Sequence, residues 1–155
     1  MKNLYGYFCK LEETLVKGFL VAITFLVFIS AIFRTMKYPL NWAVDLSMLL
    51  FAWVVFLGAN MALRNTELVN VDLFINKFSA KIRKNIYIFW NIIIILFLFF
   101  LIWHGIPLAL ESTSRQFQTL GISYSWATIS VPVGAALMII STCIKIFKAL
   151  KKENW

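Results

Sequence analysis

The chain has 155 residues, of which 61% are hydrophobic and only 14% charged, against roughly 45–50% and 25% in soluble domains. Fifteen phenylalanines and six tryptophans are more bulk than a small soluble core could hide, so a soluble globular fold is excluded and one membrane domain is expected. The net charge of +8 does not mark a nucleic-acid binder, because the lysines and arginines lie between apolar runs rather than along one face.

In chain order, Leu4, Phe8, Leu11 and Leu15 recur at helical spacing, with Lys2, Lys10, Glu12 and Glu13 on other faces. This pattern predicts a short interfacial helix leading into the first span. A bilayer core about 30 Å thick needs about 20 apolar residues in a helix, and four runs qualify: Leu15–Phe33, Trp42–Leu63, Ile86–Leu110 and Tyr124–Phe147. The first is longer than a signal-peptide core and lacks a small-x-small cleavage site, so it reads as a span. The last is interrupted by Pro132 and Gly134, which a buried span tolerates. The expected fold is an all-α integral membrane protein of four transmembrane helices in a single domain.

Lysine and arginine set the orientation. Twelve lie in the N-terminal segment, the Arg64–Lys84 connection and the C-terminal end, whereas Arg34, Lys37 and Arg115 are the three on the other side. The positive-inside rule then puts both termini in the cytoplasm. Cys9 and Cys143 fit no CxxC or metal spacing and are expected to be reduced structural thiols.

Polar residues within the spans are the functional candidates, because an ionisable group in hydrocarbon is costly. Asp45 and His104 lie at comparable depths below the outer ends of spans two and three, and Asn60 and Asn91 are matched near the inner side. If these consecutive antiparallel spans are neighbours, each pair meets at one level and can hydrogen-bond between helices. An ion or proton pathway and simple interfacial exposure are the other roles open to Asp45. Small residues recur at four-residue spacing in Gly18/Ala22, Gly58/Ala62 and Ser130/Gly134, which favours close helix approach. Trp42 and Trp126 open spans two and four as interfacial anchors, with Trp90 near the inner boundary.

Enzymatic constellations are missing from the sequence. His104 is the single histidine, so a bis-histidine haem site is ruled out, and there is no reactive cysteine pair, catalytic triad, zinc spacing or phosphate loop. No cofactor and no metal is expected.

"KLEE" at 10–13, "WAVDL" at 42–46, "FLGANMALR" at 56–64, "ELVNVDLF" at 67–74 and "SYSWATISVPVG" at 123–134 occur in an order that resembles the small membrane subunit of tripartite ATP-independent periplasmic (TRAP) transporters. The likeness spans most of the chain, and its strongest parts are Trp42 with Asp45, the FLGA stretch around Gly58, Arg64 followed by Val-Asp at Asp72, and Trp126, Pro132 and Gly134. Family members often carry two acidic residues after the tryptophan and an arginine four positions after the first. Here those positions hold Val44 and Met48, so a charge pair is replaced by two apolar residues together. A familiar histidine before Val-Asp is Leu68 in this chain, so no imidazole role transfers there.

The resemblance implies a scaffold subunit in the bacterial inner membrane. Its partners would be a large multi-span membrane subunit, a periplasmic solute-binding protein and membrane lipid. The complex would import an organic acid, of dicarboxylate or sialic acid type, coupled to sodium. Asp45 then fixes helix packing or a subunit contact, and Arg34, Lys37 and Arg115 are candidates for docking the binding protein. The alternative is a self-sufficient homo-oligomeric small exporter or channel.

Overall fold

Backbone groups inside hydrocarbon have no water to bond, which leaves helices as the economical way for such apolar runs to cross. The computed structural model describes residues 2–65 and 80–151. They form α1 (Lys2–Thr35), α2 (Asn41–Asn65), α3 (Ala80–Glu111), a 3-10 turn (Ser112–Ser114), α4 (Ser125–Thr128) and α5 (Ser130–Lys151). Among the described residues, four helical segments are long and apolar enough to span a membrane, α4 and α5 together making the fourth.

α1 is one continuous helix of 34 residues, about 51 Å long at 1.5 Å per residue, so the expected interfacial segment and the first span share a single axis. Phe8, Leu11 and Leu15 of that segment do not face the other helices. All three are exposed, while Glu12 is buried and Val16 packs with Val54 and Leu57 of α2.

The helices lie in a single row. α1 packs on α2, α2 on α5, and α5 on α3, with α4 bridging α2 and α3. Spans two and three are therefore not neighbours, and α5 runs between them, parallel to α2. The chain lengths explain this order. α1 and α2 are joined by the short Met36–Leu40 turn, which forces adjacency. The stretch from Asn65 to Ala80, at roughly 3.3 Å per extended residue, can step over one intervening helix whose axis is about 8–10 Å from each neighbour.

The central position of the fourth span shows in its burial. Ser130, Ala135, Met138, Ser141 and Thr142 are all buried, whereas the other spans keep long rows of exposed Phe, Ile, Leu and Val. Leu98, Ala135 and Met138 form the core between α3 and α5, and Val16, Val54 and Leu57 form that between α1 and α2.

Prolines punctuate both halves of the α3–α5 pair. Pro132 has no N–H to give the Thr128 carbonyl, and the fourth span is offset there into α4 and α5 at Ile129. Ser130 Oγ and Thr128 Oγ1 return hydrogen bonds to the Ala127 and Ser125 carbonyls at 2.6 and 3.2 Å. Pro107 sits inside α3 without ending it.

Candidate functional site

Two polar clusters tie the row together, one at each end. The first lies at the end carrying both chain termini. Glu12 Oε2 accepts from Arg64 Nη1 at 2.7 Å, and its Oε1 accepts from Asn60 Nδ2 at 2.7 Å. Asn60 Oδ1 in turn accepts from Ser141 Oγ at 2.7 Å. The set thus joins α1, α2 and α5. Glu12 is 3% exposed and Asn60 2%, so each carboxylate oxygen is matched by a donor where water is scarce. Charge-assisted hydrogen bonds of this kind are the strong ones.

The second cluster is at the opposite end, where residues 115–124 fold back as a small hairpin. Phe117 N–H bonds the Ile122 carbonyl at 2.9 Å, Tyr124 N–H bonds the Arg115 carbonyl at 2.8 Å, and Gly121 takes φ +63° at the reversal. Phe117 is buried and its ring lies 4.8 Å from that of Tyr124. Asp45, near the start of α2, accepts from both the backbone N–H (3.1 Å) and the hydroxyl (2.5 Å) of Thr119 at the hairpin tip. The base of the hairpin closes the end of α3: Ser125 Oγ donates to the Ala109 carbonyl at 2.7 Å, and Ser123 Oγ donates to those of Ser112 and Thr113. These carbonyls lie at the end of α3 and in the 3-10 turn after it, where the α-helical ladder of donors gives out.

This arrangement corrects the expected pairings. Asp45 does not meet His104, because α5 separates α2 from α3; His104 is exposed on α3, with Nδ1 3.3 Å from the Phe100 carbonyl and its ring against Phe100. Asn60 does not pair with Asn91 either. Asn91 is buried and donates to the Tyr87 carbonyl of its own helix at 2.7 Å. Matching depths were a sound argument only for helices in contact.

The remaining candidates divide clearly. Gly134 is required by geometry: a Cβ there would stand 2.4 Å from Phe56 Cβ. Gly58 is not, since an added methyl would meet only Val16 Cγ1 at 3.9 Å, and Gly18 has nothing near it. Trp126 is exposed but its carbonyl accepts from Trp53 Nε1 at 3.1 Å; Trp42 is exposed at the start of α2. Asp72 lies outside the described residues. Arg34 lies in the last turn of α1, Lys37 occupies the turn after it, and Arg115 opens the hairpin, all three exposed.

Sequence reasoning passed over four participants. Glu12 was legible, because it continues the 3–4 spacing of Val16, Phe19 and Ile23, the stripe of α1 that packs on α2. Ser141 extends the small-residue line of α5. Gly105, whose added Cβ would lie 3.3 Å from Pro132 Cδ, had no partner to announce it. Thr119 had no signal, since its position depends on the hairpin's tertiary docking.

Residues 23–152 match the family described as tripartite ATP-independent periplasmic transporters, DctQ component. The chain belongs to the DctQ family. Among relatives, it is 30% identical over 113 residues to the sialic acid TRAP transporter small permease protein SiaQ of Vibrio cholerae, covering 73% of this chain and 65% of that protein. It is 32% identical over 134 residues to the sialic acid TRAP transporter permease protein SiaT of Haemophilus influenzae, covering 86% of this chain and 22% of that protein. The C4-dicarboxylate TRAP transporter small permease protein DctQ of Vibrio cholerae is 35% identical over 78 residues, 48% of this chain and 32% of that protein. The aligned stretches thus span at most 65% of the length of these relatives. DctQ membership and the four spans make the chain a multi-pass protein of the inner membrane, and the family is a transporter component.

Proposed function

We propose that this chain is a non-catalytic scaffold subunit of a sodium-coupled TRAP transporter, holding a large membrane subunit that carries an organic acid of sialic acid or dicarboxylate type. The observation that carries the reading is the single row of helices. One layer does not enclose a solute pathway, and of its buried polar groups Glu12, Asn60 and Ser141 tie helices to each other while Ser47, Asn91 and Thr142 are spent on carbonyls of their own helices. The match to SiaT supports a large partner, because there a segment like this chain makes up about a fifth of one longer permease protein. The substrate class is that of the sialic acid and C4-dicarboxylate transporters to which the chain is similar.

Both termini face the cytoplasm in this reading, so the Arg115–Tyr124 hairpin faces the periplasm and lies where a solute-binding protein would arrive. Arg115 and Lys37 are then the cations available to it, and rim charges of this kind act mainly on association rate and its salt dependence. Gln118→Cys in a cysteine-free background should label with an impermeant thiol reagent added to intact cells. Protection of that residue overturns the orientation.

Reconstitution tests the scaffold role. Alone in proteoliposomes the chain should give no sodium-driven uptake; with the large subunit and binding protein, uptake should appear. Solute flux from the isolated chain sinks this reading in favour of a self-sufficient homo-oligomeric exporter or channel.

A further inference from the structure

The α1–α2 pair is closed along one half and open along the other. Toward the terminal end, Val16, Val54 and Leu57 fill the interface and the Glu12–Arg64 ion pair locks it. Toward the Met36–Leu40 turn, small residues replace them. Ser30, Ala31 and Ser47 leave a groove of about 570 Å³. Its walls are apolar, built from Ile23 and Val27 of α1 and from Val44, Met48 and Phe51 of α2. Ser47 is buried and spends its hydroxyl on the Ala43 carbonyl at 2.7 Å, so the groove keeps an apolar character even there.

One charged group among the described residues lines this groove: Arg34, in the last turn of α1. Among the described residues, no carboxylate or carbonyl takes up its guanidinium, and it lies at the end of the span, where headgroups begin. A guanidinium presents a planar fork matched to phosphate oxygens and is weakly hydrated enough to hold them at an interface. An apolar slot running along two helices, ending in a free phosphate ligand, has the amphipathic layout of a phospholipid.

We propose that the groove between α1 and α2 is a binding site for one resident phospholipid, with an acyl chain between Val27 and Met48 and the phosphate on Arg34. The site needs no particular orientation of the protein, because either leaflet supplies the same phosphate chemistry. A lipid held there completes the side-chain packing that the small residues leave open, and it covers a flank that α3 and α5 do not reach.

Native mass spectrometry of the full chain, purified in mild detergent and titrated with phosphatidylglycerol or phosphatidylethanolamine, tests this. One lipid per chain should persist after the annular lipid is stripped. Arg34→Gln should weaken its binding about tenfold, the scale of a charge-assisted contact, and Arg34→Lys should recover part of that loss. Ala31→Leu, which adds bulk into open space, should displace the lipid while leaving thermal stability intact. Equal retention by wild type, Arg34→Gln and Ala31→Leu overturns the proposal. So does a photo-crosslinker at Met48 that captures the large subunit instead of lipid in the assembled complex.

Discussion

At the end of the row that carries both termini, a full charge pair is buried and three helices share it through Glu12, Arg64, Asn60 and Ser141. At the other end, Asp45 holds a hairpin tip by two hydrogen bonds to Thr119, close to the surface. Both clusters centre on a carboxylate, yet they differ in what surrounds it. Glu12 has no access to water that could replace a lost partner, whereas Asp45 is half-buried and does. The same functional group therefore works as a lock between helices in one place and as a latch on a loop in the other.

The largest expected effect is at the lock. Glu12→Ala leaves the Arg64 guanidinium in the helix interface without its carboxylate, and breaking buried pairs from one side costs about 3–5 kcal/mol. Removing both partners, as in Glu12→Ala with Arg64→Met, should restore much of the loss. Denaturant titration of the reconstituted protein measures this; additive losses in the double variant would refute the lock.

Gly134→Ala is the control for packing shared by both ends. Its methyl would stand 2.4 Å from Phe56 Cβ, and overpacking a filled site costs about 1–3 kcal/mol. The loss should appear in global unfolding and should not respond to changes at either polar cluster. Gly58→Ala, with 3.9 Å available, should be close to neutral.

Asp45→Asn is expected to be mild. Hydrogen bonds between membrane helices average about 0.6 kcal/mol in mutant cycles, and water can substitute at this end. Hydrogen exchange should quicken at the Phe117 and Gly121 amides while the helix cores stay protected. A global unfolding shift as large as that of Glu12→Ala would erase the distinction between the two ends.

The smallest effect has the opposite sign. After α1, the Tyr38 N–H bonds the Phe33 carbonyl at 3.0 Å and the Lys37 N–H bonds that of Arg34 at 3.1 Å, with Lys37 at φ 64°. This is a Schellman ending whose left-handed position favours glycine. Lys37→Gly should stabilise by about 0.5 kcal/mol, the strain relieved less the extra chain entropy of glycine. Thermal denaturation resolves the sign.

How far the sequence reveals these features depends on how local they are. The four spans follow from hydropathy within each run, and the resemblance built on Trp42, Asp45, Gly58 and Arg64 leads to the right family. The order of helices in the row is not local. Nothing in α2 or α3 states that α5 will come between them, and the expected Asp45–His104 and Asn60–Asn91 pairs failed on that one assumption. Glu12 is an intermediate case: the apolar stripe of Phe8, Leu11 and Leu15 draws the eye to a face that turns outward, while the carboxylate sits on the stripe that packs.

The placement of α5 between α2 and α3 also bears on the birth of the protein. As the chain leaves the ribosome, α1 and α2 can join at once, since their contact needs only the Met36–Leu40 turn. α3 enters the bilayer next and finds no extensive packing partner among the described residues of either, because its main contacts are with α4, α5 and the 3-10 turn. It must wait as a lone helix in lipid until the last quarter of the chain is inserted. A chain truncated after Glu111 should thus contain a formed α1–α2 hairpin beside an unattached third helix, exposed to the quality-control proteases of the membrane.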